Sequence, residues 1–531
     1  HGCCTCVTLN RGVILQNVID TKMRLQIMKN GSSNSSVKKL AKNHFLRLLS
    51  GGSANHLSDG NVAKSELSSG DYPHDIAIVG GGMVGMALAC SLATNSLTKH
   101  LNVAIIDGNP ALGSKLRISK EEPPDARVST VTPATISHFK DIGAWQYIQE
   151  HRHAFFSKMQ VWDYTNIGYT KYDARDVHKD VLGCVVENKV LSASLWERIE
   201  DSDFKKTLYR AKLNSMPQHQ KSSLTLKNLP LCEALHSKGS VAKLELSDGN
   251  TLYARLVVGA DGNKSRVREL AKIETTGWSY PQNAVICTVE HLEENLCAWQ
   301  RFLPSGPIAL LPIGDNYSNI VWTTGPESAS RYKSIDETEF VDLVNKVFDD
   351  ENLAKSMAST HQEAGLFSWL GNYIPVSAKE PCERPPKVVK LASSRLAFPL
   401  SLMHSKSYAS NRVVLVGDAA HTVHPLAGQG VNLGFEDAFA LSKVLADGVA
   451  VGTDIGELSL LKKYEAERKP ANMVMMGILD SIQKAYSVDL GPLNFLRGAA
   501  FHAAHYVAPL KKNIISYASG EQRLPLISQW N

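Results

Sequence analysis

The sequence predicts an α/β fold built on a Rossmann-like dinucleotide-binding domain, followed by further strands and a helical C-terminal region. Three observations predict it. An apolar run over 75–79 ends in Gly80-Gly81-Gly82 and leads into a helix-like run from Met83 to Leu97. A second strand-like run, 102–106, ends at the acid Asp107. Two later apolar runs, 252–258 and 413–416, are each followed closely by an acid, Asp261 and Asp418. Open α/β sheets bind ligands at that edge of their strands.

Taken in order, the chain opens on a basic segment. Residues 1–58 carry eight Lys or Arg against one acid, Asp20. That is net +7 in a chain of net +5, so the remaining residues are net −2. A basic, Ser- and Asn-rich stretch of this kind predicts a mitochondrial transit peptide, and the Gly- and Ser-rich residues 51–70 a linker. Order is expected from Asp75. Gly80-x-Gly82-x-x-Gly85 then lies between strand and helix: Gly80 for the turn, Gly82 for close approach of a pyrophosphate, Gly85 for helix-on-strand packing. The helix N-terminus faces the phosphates, and Asp107, 22 residues past Gly85, suits a ribose hydroxyl. A second pattern, Gly428-x-Gly430-x-x-x-Gly434, follows Pro425 rather than a strand, so one dinucleotide domain is expected, not two. Strand-like runs at 284–289, 308–311 and 319–323 fill the middle, and a helical stretch begins near Gly430.

Composition narrows the class. With 531 residues, 43% hydrophobic and 21% charged, the chain is neither disordered nor collagenous. No run reaches the roughly 18 apolar residues of a membrane span; the longest soft stretch, 496–510, is broken by Arg497, His502 and His505. The body lacks the net basic charge that phosphate-backbone binding demands, so no nucleic-acid partner is expected. Nine cysteines include no CxxC pair, and His421 and His424 have no thiol or carboxylate at ligand spacing, so no metal is expected.

Two further motifs carry chemistry. One is Asp261-Gly262-Asn-Lys-Ser265-Arg-Val-Arg268 after a strand; the other is Gly417-Asp418-Ala-Ala-His421-Thr-Val-His424-Pro425-Leu-Ala-Gly428-Gln429-Gly430-Val-Asn432. With the first glycine motif, in this order, they resemble the single-component FAD-dependent aromatic hydroxylases of the p-hydroxybenzoate hydroxylase fold. The resemblance covers about 75–518. The segments 125–129 and 298–312 are similar to those of its ubiquinone-biosynthesis branch. It implies an FAD-binding domain over 71–430, interleaved with a β-sheet substrate domain at 155–240 and 280–395, then a helical region over 431–531.

The resemblance also assigns roles. Gly80, Gly82 and Gly85 would line the FAD pyrophosphate and Asp107 the adenosine ribose. Arg127 would reach FAD from a loop, Asp261 belongs to the motif closing over the pyrophosphate, and Asp418 would bond the ribitol. Backbone near Gly428, Gln429, Gly430 and Asn432 would lie by the flavin ring. The expected reaction is hydroxylation of a polyprenylated 4-hydroxybenzoate at ring carbon C5, through a flavin C4a-hydroperoxide formed from O2. The cofactor carries the reactivity, so no catalytic triad is required. His421 and His424 are candidates for proton transfer, although structural hydrogen bonding suits them better. Arg301 is a candidate for holding a ring carboxylate. Candidate linings for an apolar tail are 308–311 and 473–479. The resemblance further implies ferredoxin and its reductase as electron donors, other ubiquinone-biosynthesis proteins as partners, and a matrix position on the inner membrane. The segment 493–512, with Lys511 and Lys512, is the expected docking surface. A prenyl-chain reductase and a non-catalytic prenyl-cargo carrier share this fold, and the intact 417–432 motif argues against the carrier.

Overall fold

The computed structural model describes residues 74–114, 118–119, 121–164, 169–216, 241–349, 383–487, 497, 500–501 and 503–520. They fall within one compact unit, Ser68–Asn531. The predicted leader and linker lie outside the described residues, as do Phe495 and Leu496 of the predicted docking surface.

The first sheet has a parallel core in the order Lys206–Tyr209, Val103–Ile106, His74–Val79, Thr251–Gly259, Val413–Leu415. Its central strands are continuous apolar runs because both faces are covered: Ile76, Ala77, Ile78 and Val103 to Ile106 are fully buried. The helix Met83–Thr94 shares one core with this sheet and the helix Gln429–Ala450. Small residues permit that approach. A Cβ on Gly417 or Gly434 would run into Val84 at 3.3 and 2.7 Å.

The second sheet has nine strands, with a central order Leu396–Ser405, Thr275–His291, Tyr317–Thr324, Gly306–Gly314, Cys297–Leu303, Lys158–Asp163. Side chains alternate across it. On the outer face Trp299, Ile308, Leu310, Ile320 and Trp322 pack against the helices Pro326–Ser334 and Glu337–Asp349 through Tyr332, Phe340 and Val344. The inner face looks toward the nucleotide domain. A small three-stranded sheet, Val128–Val131, Gly183–Glu187 and His153–Phe156, stands beside it.

The structure redraws the expected domain limits. Lys206–Tyr209 and Leu213–Ser215, inside the expected substrate portion 155–240, belong to the first sheet, where Ile105 pairs with Leu208 and Leu246 with Leu213. The second sheet also extends beyond 280–395, to Thr275 and Ser405. Short strands give little sign of which sheet they join, because pairing is decided by distant partners.

The helical C-terminal region begins at Gln429. The helix Leu458–Ser487 crosses the inner face, where the Tyr280 hydroxyl donates to Asp480 at 2.8 Å and Gln483 Nε2 to Gln282 at 3.0 Å. Of the expected docking residues, Tyr506, Val507 and Leu510 are exposed. Lys511 corrects its expectation: it pairs with Asp176 at 2.7 Å and is largely covered. Among the described residues no helix is long and apolar enough to cross a membrane.

Candidate active site

All three motifs meet at the C-terminal edge of the parallel strands. Gly80 has φ +113°, and a Cβ there would stand 2.2 Å from the Ala260 carbonyl. A Cβ on Gly85 would stand 2.0 Å from the Gly80 carbonyl, so helix and turn touch through backbone alone. Gly82 differs: nothing lies within 4 Å of its Cβ position. The helix Met83–Thr94 begins at Gly82 without a side-chain cap. Its first N–H groups therefore face an open, glycine-walled space, which fits a pyrophosphate. Asp107 braces the turn by accepting from Gly81 N at 2.8 Å, and its other oxygen accepts from Asn109 N.

The second motif lies against the first. Asp261 Oδ2 caps the short helix Arg266–Leu270, accepting from Arg266 N and Val267 N at 2.7 and 3.1 Å. Its Oδ1 is buried with no hydrogen-bond partner among the described residues. Arg268 donates to the Ala419 carbonyl at 2.8 Å and so ties this loop to the third motif.

There Gly417 turns at φ +59° and presents Asp418. Asp418 is accessible, yet surrounding protein desolvates it and raises its pKa, with His421 opposing. The carboxylate thus lines a cleft rather than a convex surface, and no hydrogen bond engages it among the described residues. Gly428, at φ +62°, is the N-cap of Gln429–Ala450, which also starts without a side-chain cap. A second free helix N-terminus thus opens on the cleft, suited to negative charge on a reduced flavin. The Asn432 side chain is fully engaged. It donates to the carbonyls of Thr130 and Gly428 and accepts from Thr132 N and Thr135 Oγ1, pinning the strand Val128–Val131 to the helix. Only its backbone remains for a ligand. Gln429 Nε2 reaches the Ala518 carbonyl at 3.4 Å.

The structure separates the two histidines. His421 Nε2 lies 2.6 Å from Asp437, which also accepts from Arg468 Nε, Asn472 Nδ2 and Gly417 N. Burial pushes Asp437 up, but His421 and Arg468 outweigh it and hold it at about 2. His421 is a buried strut under the Asp418 turn. His424, 1% exposed, has no partner at either ring nitrogen among the described residues and stands edge-on to Tyr280 at 5.1 Å. Burial, opposed by Asp480, lowers its pKa to about 4. Arg301 is corrected outright. Alternation puts it with Trp299 and Leu303 on the outer face, where Nη1 donates to the Val347 carbonyl. A ring carboxylate at the inner face is out of its reach.

Arg127 is exposed on a loop clamped from two sheets. Glu187 accepts from Asp125 N at 2.8 Å, and Asn188 N donates to the Arg127 carbonyl. From the inner face, Thr288 Oγ1 donates to the Asp125 carbonyl and Asn319 Nδ2 to that of Ala126. Sequence reasoning missed these four residues, and nothing local marks them. The inner face itself is not closed. Ile308, Leu310 and Ile320 are fully buried on the outer face, whereas their inward neighbours Ala309, Leu311 and Val321 keep partial access. Gln300 shares that face, and Phe302 packs there with Leu426 of the third motif and with Leu433 just beyond it. Of the expected tail linings, Ile308 and Leu310 therefore point away, and Leu311 points in.

Comparison with known proteins agrees with this geometry. An FAD binding domain family matches residues 74–363 and 385–477. The mitochondrial ubiquinone biosynthesis monooxygenase COQ6 of Xenopus tropicalis is 37% identical over 462 residues, spanning 85% of this chain and 94% of its own. The chain belongs to the COQ6 family. Its Homo sapiens member is 35% identical, over 85% of this chain and 94% of its own. The fold recurs in p-nitrophenol 4-monooxygenase PnpA of Pseudomonas putida, with TM-score 0.59, 15% identity, and coverage of 85% of this chain and 99% of that one. PqsL of Pseudomonas aeruginosa gives 0.57, 20%, 78% and 97%. The chain is an FAD-dependent monooxygenase. The open space at Gly82 and the two uncapped helix N-termini fit that cofactor.

Proposed function

We propose that this protein hydroxylates C5 of a polyprenylated 4-hydroxybenzoate on the route to ubiquinone, on the matrix side of the mitochondrial inner membrane. The observation that carries the reading is the incompletely closed inner face, Ala309, Leu311 and Val321, on the side of the sheet where Phe302 packs with Leu426 of the third motif. That face would receive the aromatic ring beside the third motif. Bound FAD supplies oxygen activation. The chain's own residues bind and orient the phenol and exclude water from it. Gly80, Gly82, Gly85, Asp107, Arg127, Asp261 and Asp418 hold the cofactor, and backbone at 428–432 faces its ring. His424, neutral and unpartnered, is the better proton-transfer candidate of the two histidines. Ferredoxin and its reductase supply electrons, and other proteins of the pathway deliver the lipid.

Apolar contacts dominate substrate affinity. Each buried CH2 contributes about 0.8 kcal/mol. The test compares kcat/KM for 3-geranyl-4-hydroxybenzoate with that for 4-hydroxybenzoate. A preference of at least a hundredfold for the geranyl compound is expected. Equal values would rule out a lipid substrate.

A further inference from the structure

One end of the inner face holds a buried cation, most of whose donors have no hydrogen-bond partner among the described residues. Arg497 is 4% exposed. Its Nη1 donates to the Ala485 carbonyl at 3.2 Å, whereas Nε and Nη2 are buried with no hydrogen-bond partner among the described residues. The guanidinium stands over two aromatic rings, 5.4 Å from the Tyr486 centroid and 5.8 Å from that of Tyr164. Tyr486 in turn stacks on Phe302, with centroids 3.8 Å apart and planes at 18°. Phe302 is the inward-facing residue next but one to Gln300 and packs with Leu426 of the third motif. Phe302 and Tyr486 thus link the inner face to Arg497 by ring contact.

Burying a guanidinium in such surroundings is costly, and cation–π contact returns only part of that cost. Nε–H and the Nη2–H beside it form one edge of the planar fork, and two parallel donors on an edge match the two oxygens of a carboxylate. Arg301, the sequence-based candidate for that role, faces the other side of the sheet. We infer that Arg497 anchors the ring carboxylate of the substrate through its Nε and Nη2 edge. The inference rests on the reading of the substrate as a prenylated hydroxybenzoate. The competing internal arrangement is that Arg497 serves the field of Asp163, which is buried on the same face and also acts on the Tyr486 phenol.

The test measures ligand binding to the FAD-loaded protein by perturbation of the flavin absorbance. Two probes are used, 3-geranyl-4-hydroxybenzoate and 2-geranylphenol, which lacks the carboxylate. Arg497→Met is expected to weaken the acid at least tenfold and the phenol less than twofold, with FAD content unchanged. Arg497→Lys keeps the charge but loses the paired edge, and should restore part of the acid's affinity. Equal loss for both probes, or no loss for the acid, overturns the inference alone and leaves Arg497 a structural partner of Asp163. If Arg497→Met fails to fold, Arg497→Lys decides by the same acid-to-phenol ratio: an unchanged ratio overturns the inference. A wild-type protein that binds neither probe overturns the substrate reading, and the inference with it.

Discussion

Gly82 and Gly85 lie three residues apart in one motif, yet the structure assigns them different consequences. In Gly85→Ala the new methyl would stand 2.0 Å from the Gly80 carbonyl oxygen and 3.2 Å from Ile78 Cγ2. Neither the backbone oxygen nor the strand can rotate away, so helix and turn must part by about 1 Å or more to restore a tolerable contact. A displacement of that size carries N–H···O distances from about 2.9 Å to beyond 3.5 Å. Losing two charge-assisted hydrogen bonds, each worth about 1.5–3 kcal/mol, would weaken FAD by roughly a hundredfold or more. Gly85→Ala should therefore lose both stability and cofactor. In Gly82→Ala the methyl meets no protein atom within 4 Å, and the backbone, at φ −74°, accepts alanine. The fold should keep its stability to within about 0.5 kcal/mol. Only a ligand occupying the open space can object, so FAD affinity should still fall at least tenfold. The assay is FAD titration of apoprotein by flavin fluorescence quenching, with urea unfolding of the same apoproteins. A Gly82→Ala protein with wild-type FAD affinity would refute the placement of the pyrophosphate over this turn.

Two further outcomes follow from the buried network. Asp437→Asn leaves His421 with a neutral partner and Arg468 with Glu436 as its remaining carboxylate, and should cost about 1.5–3 kcal/mol in urea unfolding; a loss under about 1 kcal/mol would show that the network is not a strut. Stability should also fall in mild acid. His404 and His424 are buried, and burial lowers each to about 4, aided at His404 by Lys469 and His421 and opposed at His424 by Asp480. Both groups are neutral in folded and unfolded chains above about pH 6.5, where their contribution is complete. As pH falls from about 6.5 to about 4 the unfolded chain takes up protons that the folded one refuses, removing on the order of 3 kcal/mol per histidine. Replacing both with Gln should flatten that slope; an unchanged slope would assign the acid sensitivity elsewhere.

The parts of this site visible in the sequence are those built from local geometry. A glycine that touches backbone, as Gly85 does, has to be glycine, and an acid at a strand end, as at Asp107 and Asp418, sits beside its own turn. Strand positions at 76–79, 103–106 and 413–415 were legible because strands buried on both faces read as apolar runs. The residues that escaped are joined only by the fold. Glu187, Thr288 and Asn319 come from two sheets to hold the Arg127 loop, and no spacing in the chain connects them. The misplacement of Arg301 has a simpler cause. In Cys297–Leu303 the residues of both faces are largely buried and mostly large, so alternation was not apparent and the side facing the flavin could not be read. The strands at 206–209 and 213–215 went to the wrong sheet because their partners are thirty or more residues away, in another part of the chain.

The central claim is that this chain inserts one atom of dioxygen into a prenylated phenol. The direct measurement is a single turnover of FAD-loaded protein, reduced chemically under anaerobic conditions, mixed with 3-geranyl-4-hydroxybenzoate and 18O2, and read by mass spectrometry. The account predicts a dihydroxylated aromatic product carrying one 18O at the ring carbon ortho to the original hydroxyl. Reoxidation of the flavin with the substrate recovered unchanged, or saturation of the prenyl chain in its place, would contradict it.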